Sequence, residues 1–342
     1  MSFTPLLEKL GRREDLTVDE AANAMAFIMR GDATPAQIAG LLIALAMKGE
    51  RPPELVGFAR TMREQAVALK LPPSDVFDTC GTGGDRSGTF NISTAAALTL
   101  AACNVRVAKH GNRSVSSRCG SADVLEALGV NVTAAPDAVE RSLRDVGVAF
   151  FFAPTFHPAM RHAAAARRDL GVRTAFNLLG PLTNPAGARR QLVGVPRPEL
   201  TELLARALQL LGAERAWVVH GADGLDELST TGYTKVSECR EGSVQTFYVH
   251  PSDYGLPKSS LDALKGGDAA TNAQLIQRVL AAEPGPLRNV VLLNAGAALF
   301  VAGRVASVKE GIAQAAEALD SGRAADVLTR LSAASRQPGG ES

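Results

Sequence analysis

Two glycine- and hydroxyl-rich segments between residues 78 and 129 hold the residues whose types and spacing could do chemistry. The first segment, residues 81 to 88, contains four glycines, which let backbone N–H groups approach a ligand closely. Asn91, Ser93 and Thr94 follow and begin an apolar helical pattern, and the N-terminal end of a helix favours anions. The pattern predicts a phosphate-binding loop.

The second segment repeats this arrangement with more charge. Residues 109 to 117 combine a lysine, a histidine, an arginine and three serines, and Ser121 then opens another helical pattern. A short apolar segment, Val105–Ala108, is predicted to be a strand between the two loops. One phosphate-rich ligand, such as a diphosphate, is therefore expected to be held from both sides.

An acidic group lies far from these loops in the sequence. Asp226 and Glu227, with Asp223 close by, follow the predicted strand Ala216–His220. Mg²⁺ is usually held by one or two carboxylates together with substrate phosphates and waters, so the group is a candidate metal site. A solvated acidic turn is the alternative. Adjacent side chains on an extended segment diverge, and whether one ion or two would bind stays open.

These segments resemble the signature sequences of the anthranilate phosphoribosyltransferase family. The matching stretches are GTGGD, NIST, KHGNRSVSS and GSADVLEALG, followed by HPAM at 157–160, RRDLGVRTAFNLLGPLTNP at 167–185 and DGLDELS at 223–229. The resemblance covers roughly residues 5 to 335. It implies transfer of the 5-phosphoribosyl group from phosphoribosyl diphosphate (PRPP) to the amine of anthranilate, with release of pyrophosphate, in tryptophan biosynthesis.

The resemblance also implies site residues and a cofactor. The expected cofactor is Mg²⁺, bound by Ser93, Asp226 and Glu227. No residue is assigned as an acid or base, and Lys109 is expected to act electrostatically. The residues implied for PRPP are Gly81, Gly84, Asp85, Thr89, Asn91, Ile92, Ser93, Thr94, Lys109, His110, Gly111, Asn112, Arg113, Ser114, Val115, Ser116, Ser117 and Ser121.

For anthranilate, the resemblance implies contacts with Gly81, Asn112 and Arg167. A flat aromatic acid needs apolar walls and a cation for its carboxylate, and Arg167 matches the arginine of the family that binds that group. Arg168 is adjacent and is the obvious competing assignment. A second alternative is that both arginines form the basic last turn of a helix.

The secondary-structure elements that must position these residues fall into an all-helical N-terminal part and a longer part in which strands and helices alternate. Residues 1–71 read as helices only, with capping boxes predicted at Thr17 and Thr34. From residue 76 to 336, apolar β-prone segments alternate with helical patterns, which predicts an α/β domain. Strands are expected at 76–77, 105–108, 148–152, 192–195, 216–220 and 290–293, with an edge hairpin formed by 234–239 and 244–249.

The predicted fold is α/β, with a small all-helical domain and a larger α/β domain around a mainly parallel central sheet. The resemblance implies a nucleoside phosphorylase/phosphoribosyltransferase-like architecture. It also implies that part of residues 170–190 joins the helical domain 1–71, and that the protein forms a homodimer.

Composition limits the function classes. The 342-residue chain has a net charge of +1, which provides no global field for binding nucleic acid or an anionic membrane surface. No apolar run approaches the roughly 18 to 20 residues of a membrane span, and no signal pattern begins the chain. The four cysteines lack metal-site spacing and suit free thiols in the cytoplasm.

Two other functions remain open at this point. A pyrimidine nucleoside phosphorylase would share the overall architecture and part of the glycine loop, although KHGNR and the pair Asp226–Glu227 argue against it. A non-catalytic relative that binds nucleic acid is a third possibility, and the near-zero net charge argues against that one.

Overall fold

Seven strands form one twisted sheet in the computed structural model, which describes residues 3–69, 75–114 and 118–337. The strand order is β3-β2-β1-β4-β5-β6-β7. The first five of these are parallel, whereas β6 and β7 are antiparallel. The strands are β1 Val76–Asp78, β2 Arg106–Gly111, β3 Val148–Phe152, β4 Arg190–Gly194, β5 Arg215–Gly221, β6 Thr234–Arg240 and β7 Ser243–Val249.

Fourteen α-helices surround the sheet within the described residues. Four precede the first strand: α1 Thr4–Gly11, α2 Val18–Met29, α3 Pro35–Lys48 and α4 Pro52–Glu64. Six connect the parallel strands and lead into β5: α5 Ile92–Ala102, α6 Ser121–Ala127, α7 Pro136–Asp145, α8 Ala153–Phe156, α9 Arg161–Leu170 and α10 Leu200–Leu210. Four follow the hairpin: α11 Ala269–Leu280, α12 Pro286–Val301, α13 Val308–Asp320 and α14 Arg323–Ser335.

The two faces of the sheet bury separate apolar cores. Alternate residues of β4 show the division, because Leu192 belongs to the core under α5 and α12 whereas Val193 belongs to the core shared with α10. This is the period of two that a strand buried on both faces must have. The core that contains Val193 continues through α10 into the N-terminal helices.

The N-terminal helices also pack against a segment from the middle of the chain. Helix α9 contacts α2 and α3, and the ring of Phe176 meets Phe58 of α4 edge-on at 6.3 Å. The division into domains 1–71 and 76–336 stays a prediction, and its boundary falls on residues 70–74, outside the described residues.

Most of the elements expected from the sequence are present. Both capping boxes form, with the hydroxyls of Thr17 and Thr34 accepting from the N–H groups of Glu20 and Gln37. The edge hairpin turns at 241–242. The predicted strand at 290–293 is wrong, because these residues lie inside the buried helix α12. A helix that is apolar all round has no periodicity to separate it from a buried strand.

Strand β1 is the point where the strand order reverses, since β2 and β3 lie on one side of it and β4 and β5 on the other. In open parallel sheets, ligands bind beyond the carboxyl ends of the strands next to such a reversal. Among the described residues, no helix combines the length and the apolar composition that crossing a lipid bilayer requires.

The packing of α2 against α4 depends on Gly57, because a Cβ built there would overlap the carbonyl oxygen of Val18. We expect Gly57→Ala to destabilise the protein by about 1–3 kcal/mol through overpacking. Gly40→Ala is the matched control, since its Cβ would meet only Leu7 at 3.6 Å. Thermal unfolding followed by circular dichroism should show a lower Tm for Gly57→Ala alone. Equal Tm values for both variants would contradict this description of the interface.

Candidate active site

A buried carboxylate, Asp78 at the end of β1, organises the base of both loops. Its Oδ1 accepts from the backbone N–H groups of Cys80 at 3.0 Å and His110 at 3.2 Å. Its Oδ2 accepts from Nδ2 of Asn184 at 2.7 Å. Burial raises the pKa of Asp78 to about 6, opposed by the Asn184 hydrogen bond and by the charge of Lys109. Asp78 therefore ties the start of the first loop to the end of β2.

The first glycine loop is anchored at both ends by backbone hydrogen bonds. The N–H of Thr82 donates to the carbonyl oxygen of Gly194 at the end of β4, at 2.9 Å. Thr89 forms an isolated antiparallel bridge with Lys265, and the Thr89 hydroxyl lies 3.1 Å from that of Ser87. Gly81 packs so closely on Gly194 that a Cβ there would lie 2.9 Å from the Gly194 oxygen. The predicted residues Gly81, Gly84, Asp85 and Thr89 thus share one loop above the sheet.

Helix α5 begins directly at the loop, with Asn91 as its N-cap residue. The Asn91 side chain does not cap the helix. Instead its Nδ2 donates to the carbonyl oxygen of Cys119 at 3.3 Å, and its Oδ1 accepts from Nδ2 of Asn272 at 2.9 Å. The positive end of the α5 dipole therefore faces the site without a side-chain acceptor from Asn91.

Lys109 is the buried cation of the site, with only 3% of its surface exposed. It lies on β2, and its Nζ donates to the hydroxyls of Thr79 at 3.1 Å and Ser93 at 3.3 Å. Both hydrogen-bond acceptors are neutral, and the charge of Lys109 also acts on the buried carboxylates of Asp78 and Glu227. Lys109 and Ser93, which are 16 residues apart, are brought together by the packing of α5 against β2.

Asp226 and Glu227 lie beyond the end of β5 and face the first loop. Burial raises the pKa of Asp226 well above its usual range, as do the nearby charges of Asp85 and Glu227, while Arg173 opposes the shift. Burial likewise raises the pKa of Glu227 to about 7, although Lys109 and hydrogen bonds from Ser93 oppose it. Two segments more than 100 residues apart thus meet in one electrostatic cluster.

This cluster fits a divalent cation with the ligand set that Mg²⁺ prefers. Within the described residues, no group of three or more His, Cys, Asp or Glu is arranged as a complete metal cage. Mg²⁺ rarely uses such a cage and relies on one or two carboxylates plus phosphates and waters. The Oδ2 atom of Asp85 is buried and has no hydrogen-bond partner among the described residues, and repulsion from Asp85 is among the causes that raise the pKa of Asp226. A cation between them would relieve both costs.

The second loop is described only at its two ends. Gly111 ends β2, and the carbonyl oxygen of Asn112 accepts from the Ser121 hydroxyl at 3.4 Å. The N–H of Ser114 donates to Asp123 of α6 at 3.1 Å. The predicted residues Val115, Ser116 and Ser117 lie outside the described residues.

Four predicted PRPP residues have side chains that are engaged elsewhere or buried. Arg113 forms ion pairs with acidic side chains of α6, and the Ile92 side chain is in the apolar core. Nδ1 of His110 lies 2.9 Å from the carbonyl oxygen of Gly180. Burial lowers the pKa of His110 to about 3. The Thr94 hydroxyl is buried without a partner among the described residues. The roles assigned to these four residues stay predictions.

Arg167 and Arg168, which the sequence could not separate, differ in the structure. Arg168 is exposed, whereas Arg167 turns inward on α9, with its guanidinium 5.8 Å from the centre of the Phe176 ring. Burial lowers the pKa of Arg167. Its guanidinium contacts an aromatic face and forms no ion pair with a carboxylate of the described residues. Such a guanidinium is suited to an aromatic acid, which supplies the missing anion.

Three residues of the site had no role in the sequence analysis. Asp78 and Asn184 form the buried hydrogen-bonded base, and Arg173 donates from Nη2 to the carbonyl oxygen of Thr82 at 2.9 Å. A carboxylate at the end of a fully apolar strand is a signal that could have indicated Asp78, since such groups are rarely buried without a purpose. No local signal distinguishes Arg173 from the neighbouring arginines.

In a comparison with known protein families, two family models match this chain, one in its N-terminal part and the other in the remainder. The model described as "Glycosyl transferase family, helical bundle domain" matches residues 4–66, and "Glycosyl transferase family, a/b domain" matches residues 73–325. The chain is also 54% identical over 325 residues to an anthranilate phosphoribosyltransferase of Moorella thermoacetica, with 95% of this chain and 96% of the relative covered. The chain belongs to the anthranilate phosphoribosyltransferase family. The resemblance inferred from the sequence is confirmed.

Solved structures agree with this family assignment. The anthranilate phosphoribosyltransferase of Thermus thermophilus superimposes with a TM-score of 0.91 at 48% identity, covering 97% of this chain and 99% of that one. The Saccharomyces cerevisiae enzyme in complex with PRPP and Mg gives a TM-score of 0.88 at 26% identity, covering 97% of both chains. The same yeast enzyme with 4-fluoroanthranilate gives 0.85 at 26% identity, covering 98% of both chains. The predicted fold class is confirmed.

The raised pKa of Glu227 has a consequence for the metal-free protein. The pKa of this carboxyl is higher in the folded protein, about 7, than in the unfolded chain, about 4.5. The folded protein therefore loses stability as the pH rises from about 4.5 to about 7. We expect Glu227→Gln to raise the Tm of the metal-free protein by a few degrees at pH 8 and to have little effect near pH 4.5. Differential scanning fluorimetry at both pH values measures this.

The exposed carboxylate Glu8 provides the control for this variant. Glu8→Gln should leave the Tm unchanged at both pH values. If Glu227→Gln also had no effect at pH 8, the electrostatic description of the acidic cluster would be wrong.

Proposed function

We propose that this protein transfers the 5-phosphoribosyl group from PRPP to the amine of anthranilate and releases pyrophosphate, in the biosynthesis of tryptophan. The proposal is supported by one observation above the others. The glycine loop, the N-terminus of α5, Lys109 and the pair Asp226–Glu227 converge at the carboxyl ends of the parallel strands. Diphosphate binding needs backbone donors, a cation and carboxylates for a metal in this arrangement.

The negative charge of the leaving pyrophosphate sets the main demand on the site. As the bond from C1 of the ribose to the diphosphate breaks, negative charge collects on the departing oxygens. The Lys109 ammonium and the N–H groups at the start of α5 are oriented before the reaction begins, so they stabilise that charge at little reorganisation cost.

The aromatic amine of anthranilate makes a strong base unnecessary, because it is neutral at pH 7 and attacks C1 directly as the C1–oxygen bond breaks. The acidic ammonium formed in this attack then loses its extra proton to water. No general base is assigned. Burial lowers the pKa of His110, so its ring is not poised to exchange protons at neutral pH. Holding the amine in line with C1 accounts for much of the remaining acceleration.

Mg²⁺ is the proposed cofactor, with Ser93, Asp226 and Glu227 as the residues that would hold it. When bound, it would neutralise charge on the diphosphate. The Oδ2 atom of Asp85, which has no hydrogen-bond partner within the described part of the chain, fits a contact with a metal-bound water. The yeast relative solved in complex with PRPP and Mg supports this assignment.

Arg167 is the proposed cation for the anthranilate carboxylate. Its guanidinium lies 5.8 Å from the centre of the buried Phe176 ring, which provides an apolar wall. The yeast relative solved with 4-fluoroanthranilate supports the acceptor class. Gly81 and Asn112 complete the predicted acceptor contacts, and both lie in loops that also face the donor.

The activity is measured by following the loss of anthranilate fluorescence in the presence of PRPP. We expect consumption that depends on Mg²⁺ and is abolished by EDTA. The double variant Asp226→Ala, Glu227→Ala should lose at least about 100-fold in kcat/KM, because several kcal/mol of charge stabilisation depend on the metal. Full activity of this variant would exclude the metal assignment. Phosphorolysis of thymidine or uridine, tested in parallel, should not occur.

Arg167→Ala and Arg168→Ala form a matched pair for the acceptor site. Removing a guanidinium that binds a carboxylate costs about 1.5–3 kcal/mol, so KM for anthranilate should rise about 10- to 100-fold in Arg167→Ala. KM for PRPP should change little. Arg168→Ala, at the exposed neighbour, should resemble the wild type. The reverse ranking of the two variants would transfer the role to Arg168.

We further propose a homodimer located in the cytoplasm. The side chain of Met47, at the end of α3, is 75% exposed, which fits an apolar contact surface on the N-terminal helices. All four cysteines are buried, and no disulfide bond links them in the part of the chain that the structure describes, which suits a reducing compartment. Light scattering during size-exclusion chromatography measures the oligomeric state.

A further inference from the structure

Arg173 is an exposed residue on the short connection between α9 and the 3-10 turn Ala175–Asn177, and the backbone on either side of it is anchored. Helix α9 is followed by its C-cap residue Gly171, which has the left-handed φ of +63° that glycine adopts readily. The next anchor is Thr174, which is buried and donates from its N–H to Oδ1 of Asn177 at 2.8 Å. The position from which the Arg173 side chain extends is therefore defined by its own segment.

The guanidinium of Arg173 reaches across to the first glycine loop, 91 residues earlier in the chain. Its Nη2 donates to the carbonyl oxygen of Thr82 at 2.9 Å. Its Nη1 occupies the space beside Gly84, where an added Cβ would overlap it. In this position the guanidinium fills the space that a side chain at 84 would occupy, and the left-handed φ of Gly84 also favours glycine there.

The charge of Arg173 is not neutralised by a direct ion pair. Its guanidinium pairs with no carboxylate of the described residues, although Asp85 and Asp226 lie near enough for their charges to act on it. The nearby cation Arg197 does pair with a carboxylate, that of Glu199 at 3.3 Å. Arg173 therefore contributes a hydrogen bond to the loop and a positive charge at the edge of the acidic cluster.

We propose that Arg173 is a positioning residue for the sugar donor, which clamps the first glycine loop at Thr82 and Gly84 to the segment that also carries Arg167. A glycine-rich loop has high backbone entropy when it is not restrained. The clamp restricts that freedom before PRPP arrives, so that the loop N–H groups are already directed at the diphosphate. The identity of the ligand rests on the proposed function, but the clamp itself does not.

The clamp also links the donor and acceptor sides of the site. The stretch from Arg167 to Phe176 carries the inward-facing guanidinium at one end of α9 and the loop contact six residues later. These two contacts are made six residues apart in one segment of the chain, which sets the separation between them. In-line attack of one substrate on the other requires such a separation.

The test compares Arg173→Ala and Arg173→Lys with Arg197→Ala as the matched control. Arg197→Ala removes a charge from the same neighbourhood without touching the loop. Hydrogen–deuterium exchange of residues 80–89 is measured in the free protein, and Tm is measured alongside. KM for PRPP, KM for anthranilate and kcat are then determined for each variant.

We expect faster exchange of residues 80–89 in Arg173→Ala, with an unchanged Tm, and a rise of at least about tenfold in KM for PRPP with less than about a threefold change in KM for anthranilate. Arg173→Lys should recover little of either effect, because an ammonium cannot both donate to Thr82 and lie flat against Gly84. Arg197→Ala should resemble the wild type in both measurements.

Three results would overturn the proposal. One is unchanged exchange of the loop in Arg173→Ala, which would show that the contact does not order it. Another is full recovery in Arg173→Lys, which would reduce the role to a point charge. The third is an equal effect of Arg197→Ala. Since the exchange measurement needs no substrate, a wild-type protein that lacked the proposed activity would refute that function and leave the clamp to be decided by exchange alone.

Discussion

The carboxylates that follow β5 lie close to the positively charged side of the site. The positions of the other site residues depend on how the negative charge of these carboxylates is balanced. Asp85, Asp226 and Glu227 repel one another, while Lys109 and the N-terminal end of α5 attract them. Burying either the carboxylates or the lysine without the other would carry a large desolvation cost. Together they form a site whose charge fits an anion in the positive half and a cation in the negative half, as the proposed function requires.

The scaffold meets this requirement through strands that end at one edge of the sheet. Strand β1 delivers the glycine loop, β2 delivers Lys109, and the segment after β5 delivers the acidic pair. Asp78 keeps the first two in register, because its single carboxylate accepts from both the loop and β2. Its hydrogen bond from Asn184 reaches the segment that leads into β4. One buried acidic residue thus connects three of the elements that line the site.

Local chemistry accounts for the parts of the fold that sequence patterns predict correctly. The capping boxes at Thr17 and Thr34 and the turn at 241–242 are determined by a few neighbouring residues, so the sequence indicates them directly. The strand predicted at 290–293 is part of helix α12, because burial on all sides removes the periodicity that separates the two structures. The order and spacing of the site residues indicate which positions matter, but not the direction in which each side chain points.

By itself, the sequence determined the class of chemistry, because the identity and order of the glycines, hydroxyls and carboxylates belong to the covalent structure of the chain and do not change on folding. It also determined the family, through stretches whose residue types and spacing match along nearly the whole chain. Only the tertiary structure decided that Arg167 faces inward and Arg168 outward, that Asp85 meets Asp226, and that Arg173 lies against Gly84. These are contacts between segments far apart in the chain, and their existence depends on how strands and helices pack, which no local pattern encodes.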